Sequence, residues 1–341
     1  MWRPHQPRKN QPAPWDFQRI SLRSSHKNPR RSRMNSRHAP PSPALSVIIC
    51  TRNPKPLVLR RVIECLNSQT LPHDRWEAIL VDNGSEPPVA IPADWQRPGR
   101  LRIVVEPTPG LTAARLRGIR EAHGDLLVFV DDDNLLDPDY LAEAVRLAEA
   151  WPQIGVFGGR ISPEFEAAEP DWLQAFRGHL AIAEFERDEW ANVPGDGAVI
   201  PCGAGLCVRR PLAERWAARV AADPRRLALD RAGESTMSCG DTDLVFSCLD
   251  EGWGSARFTA LHLTHVIPAR RLDYAYQRRL ARDIGYSYGH LLALRGSSTR
   301  GRRMIALGKT ALAFLGVKHR GRARKLDVAY HHGYWRGLSS I

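Results

Sequence analysis

The chain has 341 residues, 43% apolar and 25% charged, enough to bury a sizeable core and too ordinary for a fibrous or wholly disordered protein. Its net charge of +12 suggests a nucleic-acid binder until it is located: residues 1–43 carry ten Lys and Arg against Asp16, and residues 295–341 carry eleven against Asp327. The middle holds more acids than bases, and no recognised reading module accompanies the basic ends, so nucleic acid is excluded as the expected partner.

Residues 1–43 are rich in Pro, Arg, Ser and Asn and lack apolar periodicity, so they read as a disordered basic extension. They contain no apolar run that would serve as a signal or anchor. The first expected strand, Val47–Cys50, ends in Thr51, Arg52 and Asn53. A helix follows, with Leu59, Val62, Ile63 and Leu66 at i, i+3, i+4 and i+7. The second strand, Ala78–Val81, runs into Asp82 and Asn83, and the third spans Leu101–Val105. The next helix places Ala114, Gly118 and Ala122 on one face, small enough for close approach to a sheet.

The centre of the sequence is DLLVFVDDDN, Asp125–Asn134. Leu126–Val130 is too short for a typical helix and too uniformly apolar for a half-exposed strand, so it reads as a strand covered on both faces. It leads into Asp131, Asp132 and Asp133, three carboxylates that repel one another unless something positive sits among them. In an extended backbone Asp131 and Asp133 would point one way and Asp132 the other. Asp137, Pro138 and Asp139 suit a helix N-terminus, with Asp137 as cap, and this accounts for part of the acidic cluster. The three aspartates lie a full turn earlier and point instead to a divalent cation holding phosphates.

Further short strands are expected at Ile154–Phe157 and Ala256–Ala260. Strands alternating with helices at this spacing imply an α/β fold with a doubly wound, mostly parallel sheet. Ligands of such sheets sit beyond the carboxyl ends of the strands, where Thr51-Arg52-Asn53, Asp82-Asn83 and Asp131-Asp132-Asp133 converge. Neither G-x-G-x-x-G nor a Walker lysine motif follows the first strand, which disfavours dinucleotide enzymes and P-loop NTPases. Cys50, Cys65, Cys202, Cys207, Cys239 and Cys248 have no zinc-site spacing and read as reduced core residues of an intracellular protein.

From Gly285 to Leu326 there is no acidic residue, and the apolar residues from Met304 to Leu315 lie among many Arg and Lys. That run is too short and interrupted to cross a bilayer. Residues 295–325 could instead lie on an anionic membrane surface or form a terminal helix with a solvated basic face.

SVIICTRN at 46–53, ILVDNGS at 79–85, GLTAARLRG at 110–118 and FVDDDNLLDPDYL at 129–141 resemble, in order and spacing, the inverting family 2 glycosyltransferases with their A-type nucleotide-sugar fold. CGAGLCVRR at 202–210 and CGDTDLVFSCLDEGW at 239–253 extend the resemblance to Trp253. It implies a catalytic domain over residues 44–270, followed by a helical basic extension over 271–341.

The resemblance also implies that Thr51, Arg52 and Asn53 line a nucleotide pocket and that Asp82 contacts the nucleotide base. Asp131 and Asp132 would face ribose and diphosphate, and Asp133, with Asp131, would bind Mn or Mg. His265 is a further candidate metal ligand; His262 is a weaker one, and a packed core histidine is the alternative for both. Gly203 would let backbone approach the sugar or acceptor, and Arg115 would either approach the diphosphate or lie exposed.

Asp241 is the expected general base, with Asp243 as fallback, although both would also suit the first turn of a helix. Gly240 stands where the family carries the glutamate of a Glu-Asp pair. That departure is the one feature favouring an inactive nucleotide-sugar-binding scaffold; a sugar nucleotidyltransferase would need a glycine-rich triphosphate loop. The Gln-x-x-Arg-Trp signature of processive synthases is missing, and YQRRL at 276–280 only echoes it.

The expected partners are a nucleotide-sugar donor and a glycan or lipid-linked acceptor. The expected place is the cytoplasm, peripheral at the inner face of the membrane.

Overall fold

A computed structural model describes residues 43–92, 101–195, 197–233 and 235–341. The expectation of disorder at the amino terminus falls on residues 1–42, outside the described residues. The first half of the described chain is a run of β–α units: β1 (Leu45–Thr51), α1 (Pro56–Asn67), β2 (Trp76–Asp82), β3 (Leu101–Val105), α2 (Leu111–Glu121) and β4 (Leu126–Asp131). β1 and β2 are buried along their whole length, as apolar runs covered on both faces should be. In α1 the buried residues are Leu59, Val62, Ile63 and Leu66, the four on the predicted face.

In α2 the small residues do what their size permits. A Cβ at Gly118 would run into the Ile48 side chain, so this helix lies closer to β1 than any larger residue there would allow.

The second half adds β5 (Asn134–Leu136), α3 (Tyr140–Ala150), β6 (Ile154–Phe165), β7 (Glu189–Ala191), β8 (Leu206–Arg209), α4 (Arg210–Ala222), α5 (Gly240–Asp250) and β9 (Gly254–Ile267). The sheet order is β3-β2-β1-β4-β8-β6-β9-β5, with β7 against β9. β3, β2, β1 and β4 are mutually parallel, whereas β8 enters antiparallel to both β4 and β6. The sheet is thus parallel where β–α units build it and mixed where longer connections return.

β6 and β9 run well past the short strands expected at 154–157 and 256–260. They pair in parallel through a register shift between Gly158 and Arg160. Interleaved polar residues such as Arg160 and Ser162 end the apolar run but not the strand. The helix start expected at Asp137 is also displaced: α3 begins at Tyr140, with Asp139 at its N-cap. The Asp137 carboxylate instead lies 2.8 Å from Nδ1 of His262, which locates both residues in a structural pair away from the cleft described below.

The chain ends in α6 (Tyr274–Leu294), α7 (Arg300–Leu315) and α8 (Gly321–Leu338). α6 and α8 meet backbone to backbone. A Cβ at Gly285 would strike the Tyr330 carbonyl oxygen and one at Gly289 that of Tyr334, while Gly333 and Gly337 face the carbonyls of Arg282 and Tyr286 in return. Two i, i+4 glycine pairs therefore form one seam, as small residues do wherever helices approach closely. Tyr276, Leu280 and Ile284 of α6 also line the cleft. The helical segment 271–341 thus contributes to the site as well as following it.

Candidate active site

Strand register builds the site. Thr51 pairs with Asp82 and Cys50 with Asp131, so β2, β1 and β4 end side by side. Beyond those ends lies a cleft of about 520 Å³. Its floor carries Thr51, Arg52, Asp131, Asp132 and Asp133, and its wall carries Gly203 and Asp241.

The three aspartates do not alternate across a strand. β4 stops at Asp131 and the chain turns, so all three carboxylates line the cleft. Asn134 shapes this turn: its Oδ1 accepts the Asp131 N–H at 3.0 Å and its Nδ2 donates to Asp133 Oδ1 at 3.1 Å. The Thr51 hydroxyl donates to Asp132. Burial and the neighbouring Asp133 charge push the Asp132 carboxyl up to about 7, against which the Thr51 bond works.

Asp133 goes the other way. Burial works to raise it, but the His265 ring and the Arg271 and Arg231 guanidiniums bring it down to about 2. His265 reaches this position because β5 and β9 pair Asn134 with His265. Its Nδ1 is 2.9 Å from the Leu180 carbonyl oxygen, and its Nε2 is 3.4 Å from Asp133 Oδ2 and 3.1 Å from Arg271 Nη1.

Carboxylate oxygens suit Mg or Mn, and a carbonyl on the far nitrogen of a histidine is the usual support for a ligating ring. Among the described residues no group of three or more His, Cys, Asp or Glu is arranged to hold a metal by itself. The donor set therefore fits a cation that takes one or two carboxylates from protein and the rest from phosphate and water.

Asp241 opens α5 and faces the cleft. Its Oδ2 accepts the Gly203 N–H at 2.8 Å and its Oδ1 accepts both the Thr242 N–H at 2.7 Å and the Thr242 hydroxyl at 3.4 Å, which orients the carboxylate and leaves Oδ2 a lone pair. A side chain at position 203 would meet Arg115 Nη2 at 2.6 Å and Asp241 Oδ2 at 3.0 Å, so the glycine makes room for the site's own residues. The fallback Asp243 is excluded. It points the other way, 1% exposed, bonded to Trp216 Nε1 at 2.9 Å and paired with Arg226.

Three further expectations change. Arg115 is buried at 5% exposure and pairs with Asp230 at 3.1 Å, with Asp241 and Asp131 also near. Burial pushes the Asp230 carboxyl up despite Arg115, while the arginine is held charged against its own burial. Three carboxylates share one guanidinium, so the cation is over-compensated and the acids under-compensated.

Asp82 is 2% exposed and does not line the cleft; Asn83 does. Both Asp82 oxygens accept backbone N–H groups, from Ser85 and Val89 at 2.9 Å each, and against the effect of burial the Ser85 hydroxyl, together with these bonds, lowers its carboxyl. Asn53 likewise lies outside the main cleft, in an adjoining recess of about 100 Å³ with Arg52, Arg270 and Arg271.

Sequence reasoning missed Asp230, Arg231, Arg270 and Arg271, all of which line the cleft. Asp230 explains the Gly240 departure: a Cβ at Gly240 would collide with Asp230 Oδ2, so a carboxylate from another segment fills the space. The YQRRL echo carried a usable signal. Its Tyr276 and Leu280 line the cleft, and Gln277 Nε2 donates to the Arg271 carbonyl at 2.6 Å. All six cysteines are unpaired, and burial raises the Cys50 and Cys202 thiols in the cleft wall to about 12 each, so neither is a ready nucleophile.

Residues 46–215 match the family model described as glycosyl transferase family 2. Through this domain the chain belongs to glycosyl transferase family 2. The family 2 assignment agrees with the named relatives. EpsH of Bacillus subtilis (strain 168), which its name describes as a glycosyltransferase, is 31% identical over 111 residues, 31% of this chain and 31% of EpsH. The succinoglycan biosynthesis protein ExoM of Rhizobium meliloti (strain 1021) is 23% identical over 276 residues, 79% of this chain and 82% of ExoM. The uncharacterised glycosyltransferase YwdF of Bacillus subtilis (strain 168) is 30% identical over 31% of this chain and 38% of its own. The matches to EpsH and YwdF thus span well under half of those relatives. The crystal structure of S. aureus TarS 1-349 superposes with a TM-score of 0.43 at 14% identity, covering 87% of this chain and 90% of that one, too distant to carry an argument.

Proposed function

We propose that this protein transfers a sugar, with inversion, from a nucleotide-sugar donor to a hydroxyl of a glycan or lipid-linked acceptor, in cell-surface polysaccharide or glycoconjugate synthesis. The observation that carries the reading is the meeting, in one cleft, of a phosphate-suited floor of aspartates and arginines with an oriented carboxylate, Asp241. The similarity to ExoM, a succinoglycan biosynthesis protein, supports the polysaccharide context.

Inversion needs a single displacement. The acceptor oxygen attacks the anomeric carbon, its proton passes to Asp241, and the nucleoside diphosphate leaves from the opposite side. Thr51, Arg52, Arg231 and Arg271, which line the cleft, would hold the nucleotide and diphosphate. Asp131 and Asp133, with His265 beside them, would hold Mn or Mg, which when bound supplies positive charge to the departing diphosphate. Asp230 pairs with Arg115, which also has Asp131 and Asp241 nearby. The scaffold alternative rested on Gly240, and the Asp230 carboxylate in that space removes its footing.

A melting panel of nucleoside diphosphates with and without manganese tests this reading in wild type and Asp133→Ala. One diphosphate should stabilise the wild type with metal, by about 2.7 kcal/mol at a hundredfold excess over Kd, and Asp133→Ala should lose the gain. No stabilisation in any combination would sink the donor site.

A further inference from the structure

α7 faces the wrong way for an ordinary surface helix. Its buried residues are Ala306 and Ala313, while Met304, Ile305, Leu312, Phe314 and Leu315 are between 53% and 72% exposed and Leu307 is 44% exposed. At 3.6 residues per turn these six, with Ala311, Gly301 and Gly308, occupy about half of the helix circumference, and the one charge on that half is Arg300, at the first position of the helix. Val317, 71% exposed, continues the patch past the helix end. Seven of the fourteen large apolar side chains exposed among the described residues fall between 304 and 317, and such clustering marks an interaction surface whereas scattered singles do not.

The helix is fixed in this orientation. The Thr299 hydroxyl caps it, accepting the Arg302 N–H at 3.1 Å, and Gly316 ends it at φ +74. Arg303 Nε donates to the Ser298 hydroxyl at 3.0 Å, which donates in turn to the Leu338 carbonyl at the end of α8 at 2.5 Å.

Charge decides what covers it. Arg300, Lys309, Lys318, Arg320 and Lys325, in and after α7, are exposed, and no acidic residue lies between Gly285 and Leu326. A second copy would set these cations against their own kind, whereas an anionic bilayer takes the apolar face and the cations together. With 16 residues, α7 is about 24 Å long, and no helix among the described residues is long and apolar enough to cross a membrane. We propose that α7 is an in-plane anchor, laying its outward apolar face into the headgroup region of an anionic lipid surface. The inference narrows the membrane contact expected of residues 295–325 to one helix face, and it stands whether or not the transfer reaction does.

The test is flotation of the full chain with vesicles of phosphatidylcholine, alone or with roughly one-third phosphatidylglycerol, without any nucleotide. Wild type should float with the anionic vesicles and stay behind with the neutral ones. Leu312→Asp with Phe314→Asp and Leu315→Asp should cut the bound fraction about tenfold at unchanged melting temperature. Lys309→Gln with Lys318→Gln and Lys325→Gln, which leaves the apolar face intact, should also weaken binding and blunt its salt dependence. Three outcomes overturn the proposal: no flotation of wild type, flotation of the Asp variant equal to wild type, which would assign the binding to another segment, or a wild-type dimer in sedimentation that the Asp variant makes monomeric.

Discussion

The cleft and the carboxyl-terminal helices hold together by opposite means. In the cleft, charges crowd into a half-buried space: Asp132 is forced up by burial and by Asp133, and Arg115 is shared among Asp230, Asp241 and Asp131. The seam of α6 and α8 has no charge at all where Gly285, Gly289, Gly333 and Gly337 let backbones touch. The first arrangement stores unfavourable electrostatics where a ligand can relieve it, and the second gains packing that tolerates no added atom. Substitutions in the two regions should therefore fail differently.

The largest effect expected is on turnover. Asp241→Asn should lower kcat by about a hundred- to ten-thousandfold while leaving nucleoside diphosphate binding, read by melting, intact. If binding goes with turnover, Asp241 is structural and the division between floor and wall breaks down. Asp230→Ala comes next, because it leaves a buried arginine short of its nearest partner: a loss of about 3–5 kcal/mol in denaturant unfolding is expected. A near-neutral result would mean that Asp131 and Asp241 alone satisfy Arg115.

The helices give a contrast of sign. Gly285→Ala should destabilise by about 1–3 kcal/mol, since its Cβ meets the Tyr330 carbonyl, although alanine is the better helix former. Gly308→Ala in α7, with nothing near its Cβ, should stabilise by about 0.5–1 kcal/mol. Equal signs in the two melts would show that the α6–α8 seam yields.

Asp132→Asn sharpens the electrostatic half. The folded carboxyl titrates near 7 and the unfolded one near 3.8, so stability is full below 3.8, falls as pH rises through 7 and stays low above it. The amide removes that loss. The variant should melt about a few degrees above wild type at pH 8 and level with it near pH 4, in metal-free buffer.

Much of the frame was legible because it is local. The apolar runs of β1, β2 and β4 announce strands covered on both faces, and the α1 periodicity names its buried side residue by residue. Polar triplets at strand ends located the cleft, since parallel strands must end together. The pairing of Asp82 with backbone amides, the rejection of Asp243 and the place of Asp230 were not legible. The first depends on a turn, the second on Trp216 and Arg226, 27 and 17 residues earlier in other elements, and the third on Arg115, 115 residues away. The i, i+4 glycine pairs of α6 and α8 were in plain view, but spacing does not say which helices meet.

By itself, then, the sequence determined the α/β class, the parallel strands, the aspartate-lined edge and the basic, acid-free terminal stretch. Short-range patterning dictates all of these. Tertiary structure alone decided which carboxylate faces the cleft, which arginines join it and which face of α7 is left outward. Those choices follow from strand register and from backbone contact between helices, where residues far apart in the chain compete for one space.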